Sequence, residues 1–246
     1  MTREILTTPF PFFENIYVPV VFSILYLSMI FFLSKWMEKR SPIKLDIYLS
    51  IHNFILLLLS VIMFFGILNV VIKIYIENDF FELYCGSSFE NNQSLLFWCY
   101  IFYLSKYYEL LDTMFLILRK RKLTILHVWH HFSVLYLCWF SQNERMMFAW
   151  ISAILNCFVH IIMYYYYFLH SISKKNIWWR KYLTLMQIIQ FIIDIFTSIL
   201  FAYVKLFTEY DCFGSWRLWT ISNFIGLSFL YLFIDLYIKD NKSKSD

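Results

Sequence analysis

Long apolar runs alternate with short basic segments along the whole chain. Seven runs are long enough for helical spans, approximately Tyr17 to Lys35, Ile47 to Ile72, Ser94 to Leu118, Leu123 to Phe140, Met146 to Leu169, Tyr182 to Phe207 and Trp216 to Ile238. A helix that crosses a bilayer needs about twenty mostly apolar residues, and each run comes close to that length. The pattern predicts an all-α integral membrane protein of seven transmembrane helices. With only 4 Gly and 4 Pro, the helices should be long and seldom broken. The first run lies inside the chain, lacks a basic leader and has no small-residue cleavage site, so it is expected to be a span rather than a signal peptide.

Composition sharpens this picture. Hydrophobic residues make up 61% of the chain and charged residues 15%, against roughly 25% charge in a soluble domain. No polar stretch exceeds about twenty residues, so 1–246 is expected to form a single membrane domain. The net charge of +4 does not point to nucleic acid, because the charges sit at the ends of the apolar runs, as topology signals do. Fifteen Lys and Arg fall in alternate connections and the C-terminal tail, five fall on the opposite side, and Lys106 lies within the third run. The positive-inside rule then puts the N-terminus in the lumen and the C-terminus in the cytosol, which an odd number of spans requires. The tail ends Lys242-Ser-Lys244-Ser-Asp246, resembling a KxKxx signal for the endoplasmic reticulum.

Ionisable groups inside hydrocarbon are costly and default to function. Here they converge at one depth. Counting about 1.5 Å per helical residue from the cytosolic ends, Lys106, Glu109 and Asp112 lie about 10–20 Å deep on the third span. On the fourth span His127, His130 and His131 lie about 7–14 Å deep, His160 lies about 16 Å deep on the fifth, and Gln187 and Gln190 about 9–13 Å deep on the sixth. Within each set the spacings are three or four, which keeps the side chains on one stripe. Four facing stripes would enclose a polar chamber in the cytosolic half.

Blander roles stand beside these. Lys106 and Glu109 could be only a buried ion pair, Gln187 and Gln190 interhelical glue, and the tyrosines from Tyr164 to Tyr167 an interfacial belt. His52 and His170 have no partner at useful spacing and are expected to be structural.

The motifs Lys106-x-x-Glu109-x-x-Asp112-Thr113, His127-x-x-His130-His131, His160-x-x-Met163-Tyr164-x-Tyr166-Tyr167 and Thr184-x-x-Gln187-x-x-Gln190 together resemble the four signatures of the ELO fatty acid elongases, in that family's order. The resemblance is strong from about residue 94 to 240 and rests on hydropathy alone for the first two spans. It implies six of the seven helices arranged as a barrel of two three-helix units around an acyl tunnel. It also implies the condensation of acyl-CoA with malonyl-CoA to a 3-oxoacyl-CoA, with CO2 and CoA released. Those two thioesters and membrane lipid are the implied partners, with other elongation-cycle enzymes and a second copy of the chain as further ones; no cofactor is expected. His130 is implied as the nucleophile, supported by His160, His131, His127, Asp112, Glu109 and Lys106. Gln187, Gln190, Tyr164, Tyr167 and Asn156 would contact substrate. The basic residues Arg119, Lys122 and Lys181 would meet the CoA phosphates. Lys122 stands where members acting on polyunsaturated chains usually carry Gln, which places the sequence nearer the saturated and monounsaturated subgroup. Trp129 replaces a frequent Tyr or Phe. Cys157, three residues before His160, leaves open a Cys–His nucleophile. Trp98, Phe102, Trp139 and Phe201 are candidates to limit chain length.

Cys85 and Cys212 fall in two lumenal connections, where an oxidising compartment permits a disulfide. Asn92-Gln-Ser94 is a glycosylation sequon that abuts the membrane. A di-iron oxidase is the nearest rival reading, yet it needs about eight histidines and this chain has 6. A single metal held by His127, His130, His131 and His160 stays open. A seven-helix transporter or receptor is a third reading, weakened by unbroken spans.

Overall fold

The computed structural model describes residues 11–78, 80–85, 92–146, 148–173, 177–210 and 212–242. Among the described residues a 3-10 turn, Pro11–Glu14, precedes eight α-helices: α1 Tyr17–Glu38, α2 Asp46–Glu77, α3 Phe80–Cys85, α4 Gln93–Leu118, α5 Ile125–Glu144, α6 Ala149–Ser173, α7 Arg180–Phe207 and α8 Trp216–Lys242. There is no strand among the described residues. Apart from the one-turn helix α3, the helices are 20 to 32 residues long.

Local chemistry sets several boundaries. Pro42 lies in the break between α1 and α2, where it cannot donate a helical hydrogen bond. Asn92 caps α4 by accepting from the Leu95 amide at 3.0 Å, and Thr124 caps α5 by accepting from the His127 amide at 3.2 Å. Each cap satisfies an orphan N–H. The Asn92 amide is therefore engaged as a helix cap, which is where the sequon falls.

The helices are apolar outward and polar inward. Phe32, Ile76, Phe196 and Phe224 are exposed, whereas Lys106, Glu109, Thr113, His131 and His160 are buried. A protein bathed in water would reverse this arrangement. Among the described residues five helices, α1, α2, α6, α7 and α8, are long and apolar enough to cross a membrane. The other two long helices, α4 and α5, miss that threshold of apolarity. They carry Lys106, Glu109 and Asp112, and His127, His130 and His131, the groups that form the interior.

Helix α2 packs on α6 and α4, α4 on α5, α5 on α8, α8 on α7, and α7 on α6; α1 packs on α4 and α5. Small residues permit close approach at one contact. A Cβ at Gly66 would come within 2.3 Å of the Trp98 ring, so α2 meets α4 there only because position 66 is glycine. At one end of the bundle a disulfide joins Cys85, at the end of α3, to Cys212, between α7 and α8, across 127 residues. Lys205 donates to the carbonyls of Cys212 and Gly214 at 2.9 and 3.0 Å, fixing the same connection.

Candidate active site

The sequence-predicted polar residues meet between α4, α5 and α6. Lys106 donates to Glu109 Oε1 and to Asn156 Oδ1, both at 2.9 Å, and Ser105 donates to the same Glu109 oxygen at 3.2 Å. His160 Nδ1 lies 3.6 Å from Glu109 Oε1. Lys106 and Glu109 are 1% and 2% exposed, so each charge depends on the other for compensation. The ammonium also stands 4.1 Å from the centre of the Phe102 ring.

Asp112 forms a second cluster. Tyr164 donates its hydroxyl proton to Oδ2 at 2.9 Å, and His52 Nε2 donates to Oδ1 at 2.7 Å. His52 thus has a partner, contrary to the expectation that it would have none. The sequence signal was available: His52 lies six residues into α2, about 9 Å deep at 1.5 Å per residue, in the same layer as Asp112. His170 stacks on Tyr166 with ring centres 6.0 Å apart.

A third chain of contacts orients the histidine box. The Tyr26 hydroxyl and Thr113 Oγ1 are 3.0 Å apart, and Thr113 Oγ1 is 2.8 Å from His127 Nε2. The His127 and His131 rings are 4.5 Å apart, and those of His130 and His131 are 5.5 Å apart. His130 also touches the Phe229 ring of α8 at 4.9 Å.

A cavity of about 130 Å³ opens beside these clusters. His130 is the one member of the histidine box that lines it, together with Asn156 and Gln190. His130 Nδ1 is buried with no hydrogen-bond partner among the described residues, and so is His131 Nδ1. The cavity follows α5 from His130 to Gln142, a rise of about 18 Å. Most of its wall is apolar, with Leu96, Phe102 and Leu137 among the lining residues.

Several residues singled out in the sequence lie elsewhere. Gln187 does not line the cavity; its amide reaches Met163 Sδ at 3.8 Å. Tyr167 is partly exposed and contacts Tyr164 and Tyr166. Arg119 pairs with Asp46 at 3.4 Å, and Lys122 is exposed. The side chain of Lys181, and Lys174, Lys175 and Lys244, lie outside the described residues. Cys157 is buried in the core and away from the cavity wall, so its spacing to His160 does not bring it to the site. Of the four proposed chain-length residues, Phe102 alone lines the cavity. Trp98 fills the space at Gly66, Trp139 donates to the Glu14 carbonyl, and Phe201 packs on Phe148.

Sequence reasoning also missed Asp194. This carboxylate lines the cavity and accepts from Ser152 at 2.8 Å. Its signal was a lone acid one turn beyond Gln190 in an otherwise apolar segment. No group of three His, Cys, Asp or Glu among the described residues is placed to hold a metal ion.

Fold and site together define a polytopic membrane protein in which one member of a histidine box, His130, lines a largely apolar cavity. The ELO: GNS1/SUR4 family matches residues 11–246, and the chain belongs to that family. It is similar to "Fatty acid elongase A" of Dictyostelium discoideum, at 39% identity over 236 residues, covering 95% of this chain and 86% of the relative. "Fatty acid elongase sre1" of the same organism is 33% identical over 229 residues, covering 92% and 84%. "Very long chain fatty acid elongase 4" of Homo sapiens is 32% identical over 246 residues, covering 94% and 74%.

Proposed function

We propose that this protein is the condensing enzyme of fatty acid elongation, joining acyl-CoA and malonyl-CoA to give a 3-oxoacyl-CoA, CO2 and CoA. The observation that carries the reading is the position of His130, the member of the box that faces an elongated apolar cavity. Family membership and the names of the relatives support the same activity.

A neutral imidazole is a competent nucleophile near neutral pH. A His130 ring nitrogen attacks the thioester carbonyl; the new C–N bond replaces C–S, and the imidazole proton leaves with CoA as its thiol. The acyl chain stays in the cavity. Malonyl-CoA then loses CO2, and the resulting enolate attacks the acyl carbonyl. The C–N bond breaks, the leaving imidazolide takes up one proton from solvent relayed through a neighbouring histidine, and neutral imidazole is restored as the 3-oxoacyl-CoA departs. Lys106, held by Glu109 and Asn156, supplies fixed positive charge near the oxygens that become negative. His160 and His131 orient and exchange protons, and the Thr113 contact holds the His127 ring. Gln190 donates toward a carbonyl at the cavity wall. Apolar walls exclude water and protect the acyl intermediate from hydrolysis.

In this reading the helix pairings amount to a six-helix barrel of two three-helix units, with α1 outside it. All seven long helices cross the endoplasmic reticulum membrane, with the N-terminus lumenal and the C-terminus cytosolic. The basic connections, Arg119 and Lys122 among them, then face cytosolic CoA. The decisive experiment gives purified protein a panel of acyl-CoAs with labelled malonyl-CoA. A labelled 3-oxoacyl-CoA is expected from at least one, and its loss in His130→Ala. Product from none would sink the assignment, and substantial product from the variant would remove His130 as nucleophile.

A further inference from the structure

We propose that the cavity carries a recognition site for a hydroxyl group on the acyl chain, formed by Asp194 and Ser152. The proposal rests on the reading of the cavity as the acyl site. A saturated chain has no use for a carboxylate in its wall. An ionisable group within an apolar layer costs several kcal/mol, and a polar group there must be compensated by hydrogen bonds. Asp194 has no basic partner within salt-bridge distance among the described residues. Its compensation comes from neutral donors, Ser152 from α6 at 2.8 Å and Gln190 one turn earlier on α7. One turn further along α7 Ser198 accepts from Asn223 of α8 at 2.6 Å, a second polar group in the same wall. Leucine and alanine at 194 and 152 would leave a continuous apolar surface without that cost. Asp194, Ser152, Gln190 and Ser198 all line the cavity, and together they match a group that both donates to a carboxylate oxygen and accepts from a neighbouring donor. A hydroxyl does both.

The depth selects where on the chain that hydroxyl lies. Asp194 and Ser152 each lie four residues, one helical turn, from Gln190 and Asn156, the cavity-wall groups placed at the thioester in this reading, a separation of about 6 Å at 1.5 Å per residue. An extended chain advances about 1.2 Å per bond, as a polypeptide backbone does. The hydroxyl is therefore placed about five carbons from the thioester. The ligand class is an acyl-CoA hydroxylated at about that position.

The test uses the purified full chain in detergent, with labelled malonyl-CoA and pairs of acyl-CoAs of about 12 to 18 carbons, longer than the depth above. Each pair comprises the 5-hydroxy compound and its unsubstituted partner, with 10-hydroxy isomers as position controls. The 5-hydroxy compounds are expected to match or exceed their partners in kcat/KM and to exceed the 10-hydroxy isomers by about tenfold, equal to about 1.4 kcal/mol. In Asp194→Leu the ratio of 5-hydroxy to unsubstituted kcat/KM should fall by about tenfold, with a smaller fall in Ser152→Ala. Should Asp194→Leu fail to fold, Ser152→Ala and the positional isomers on the unmodified protein still decide the matter. Elongation of unsubstituted chains with rejection of 5-hydroxy chains would overturn the site while leaving the elongase assignment standing. So would equal use of both isomers, or a ratio unmoved by either variant. No elongation of any compound would instead refute the assignment beneath it.

Discussion

Replacing Lys106 by Met tests whether the buried charge pair is a compensated unit. The variant keeps the volume of the stem and removes the ammonium, leaving Glu109 at 2% exposure with Ser105 as donor and His160 Nδ1 at 3.6 Å. Removing one partner of a buried pair costs about 3–5 kcal/mol, because the other charge is left without compensation. For a chain of this size each kcal/mol moves the melting temperature by about 2–4 °C, so Lys106→Met should melt about 6–20 °C lower. Neutralising both, in Lys106→Met with Glu109→Gln, should recover most of that loss, since two neutral groups of similar shape need no ionic partner. Thermal unfolding of the purified proteins in one detergent, followed by the loss of monodisperse protein, measures both. Elongation should stay low in the double variant even as stability returns, because the proposed mechanism uses the Lys106 charge to stabilise the acyl oxygen. A loss under about 1 kcal/mol in the single variant would refute the reasoning, as would a double variant no more stable than the single one.

Three further outcomes are expected. His52→Phe leaves Asp112 with Tyr164 as its one hydrogen-bond partner among the described residues and should lower kcat by about tenfold or more with little change in KM; a KM effect alone would contradict a positioning role. Gly226 lines the cavity, and a Cβ there meets nothing within 4 Å, so Gly226→Leu should fold and shift elongation toward shorter chains; an unchanged chain-length profile would show that acyl chains do not pass it. Cys85→Ser opens a covalent loop of 127 residues and should cost about 2–5 kcal/mol in thermal unfolding, with the native protein changing mobility on reduction and the variant not; equal stability would remove the disulfide from the folding balance.

Much of the architecture was legible because hydrocarbon imposes a single rule along the chain. Apolar runs gave the seven long helices to within a few residues of their ends, and the capping residues Asn92 and Thr124 explain where α4 and α5 begin. The polar layer was also readable, since helical spacing and depth are arithmetic on residue numbers. What escaped was pairing between helices far apart in sequence. His52 looked solitary because its partner Asp112 is 60 residues away. Gln187 shares a stripe with Gln190 yet turns toward Met163, because a stripe is broad and only part of it reaches the cavity. Cys157 shows the same limit: its spacing from His160 fixed a helix face, and packing sent the thiol into the core.

The helix α1 contributes one hydroxyl, Tyr26, to a contact with Thr113 across 87 residues. That contact ties the orientation of His127 to the order in which the chain is made. Helix α1, long and apolar enough to cross a membrane, is synthesised before α4 and α5, and its tyrosine must wait for both before the network closes. A generic apolar anchor substituted for α1 would insert equally well and leave Thr113 without this partner. Correct insertion and a correctly oriented histidine are thus separate events in the life of the chain, and quality control that reads only hydrophobic length would pass a protein whose histidine box was still unset.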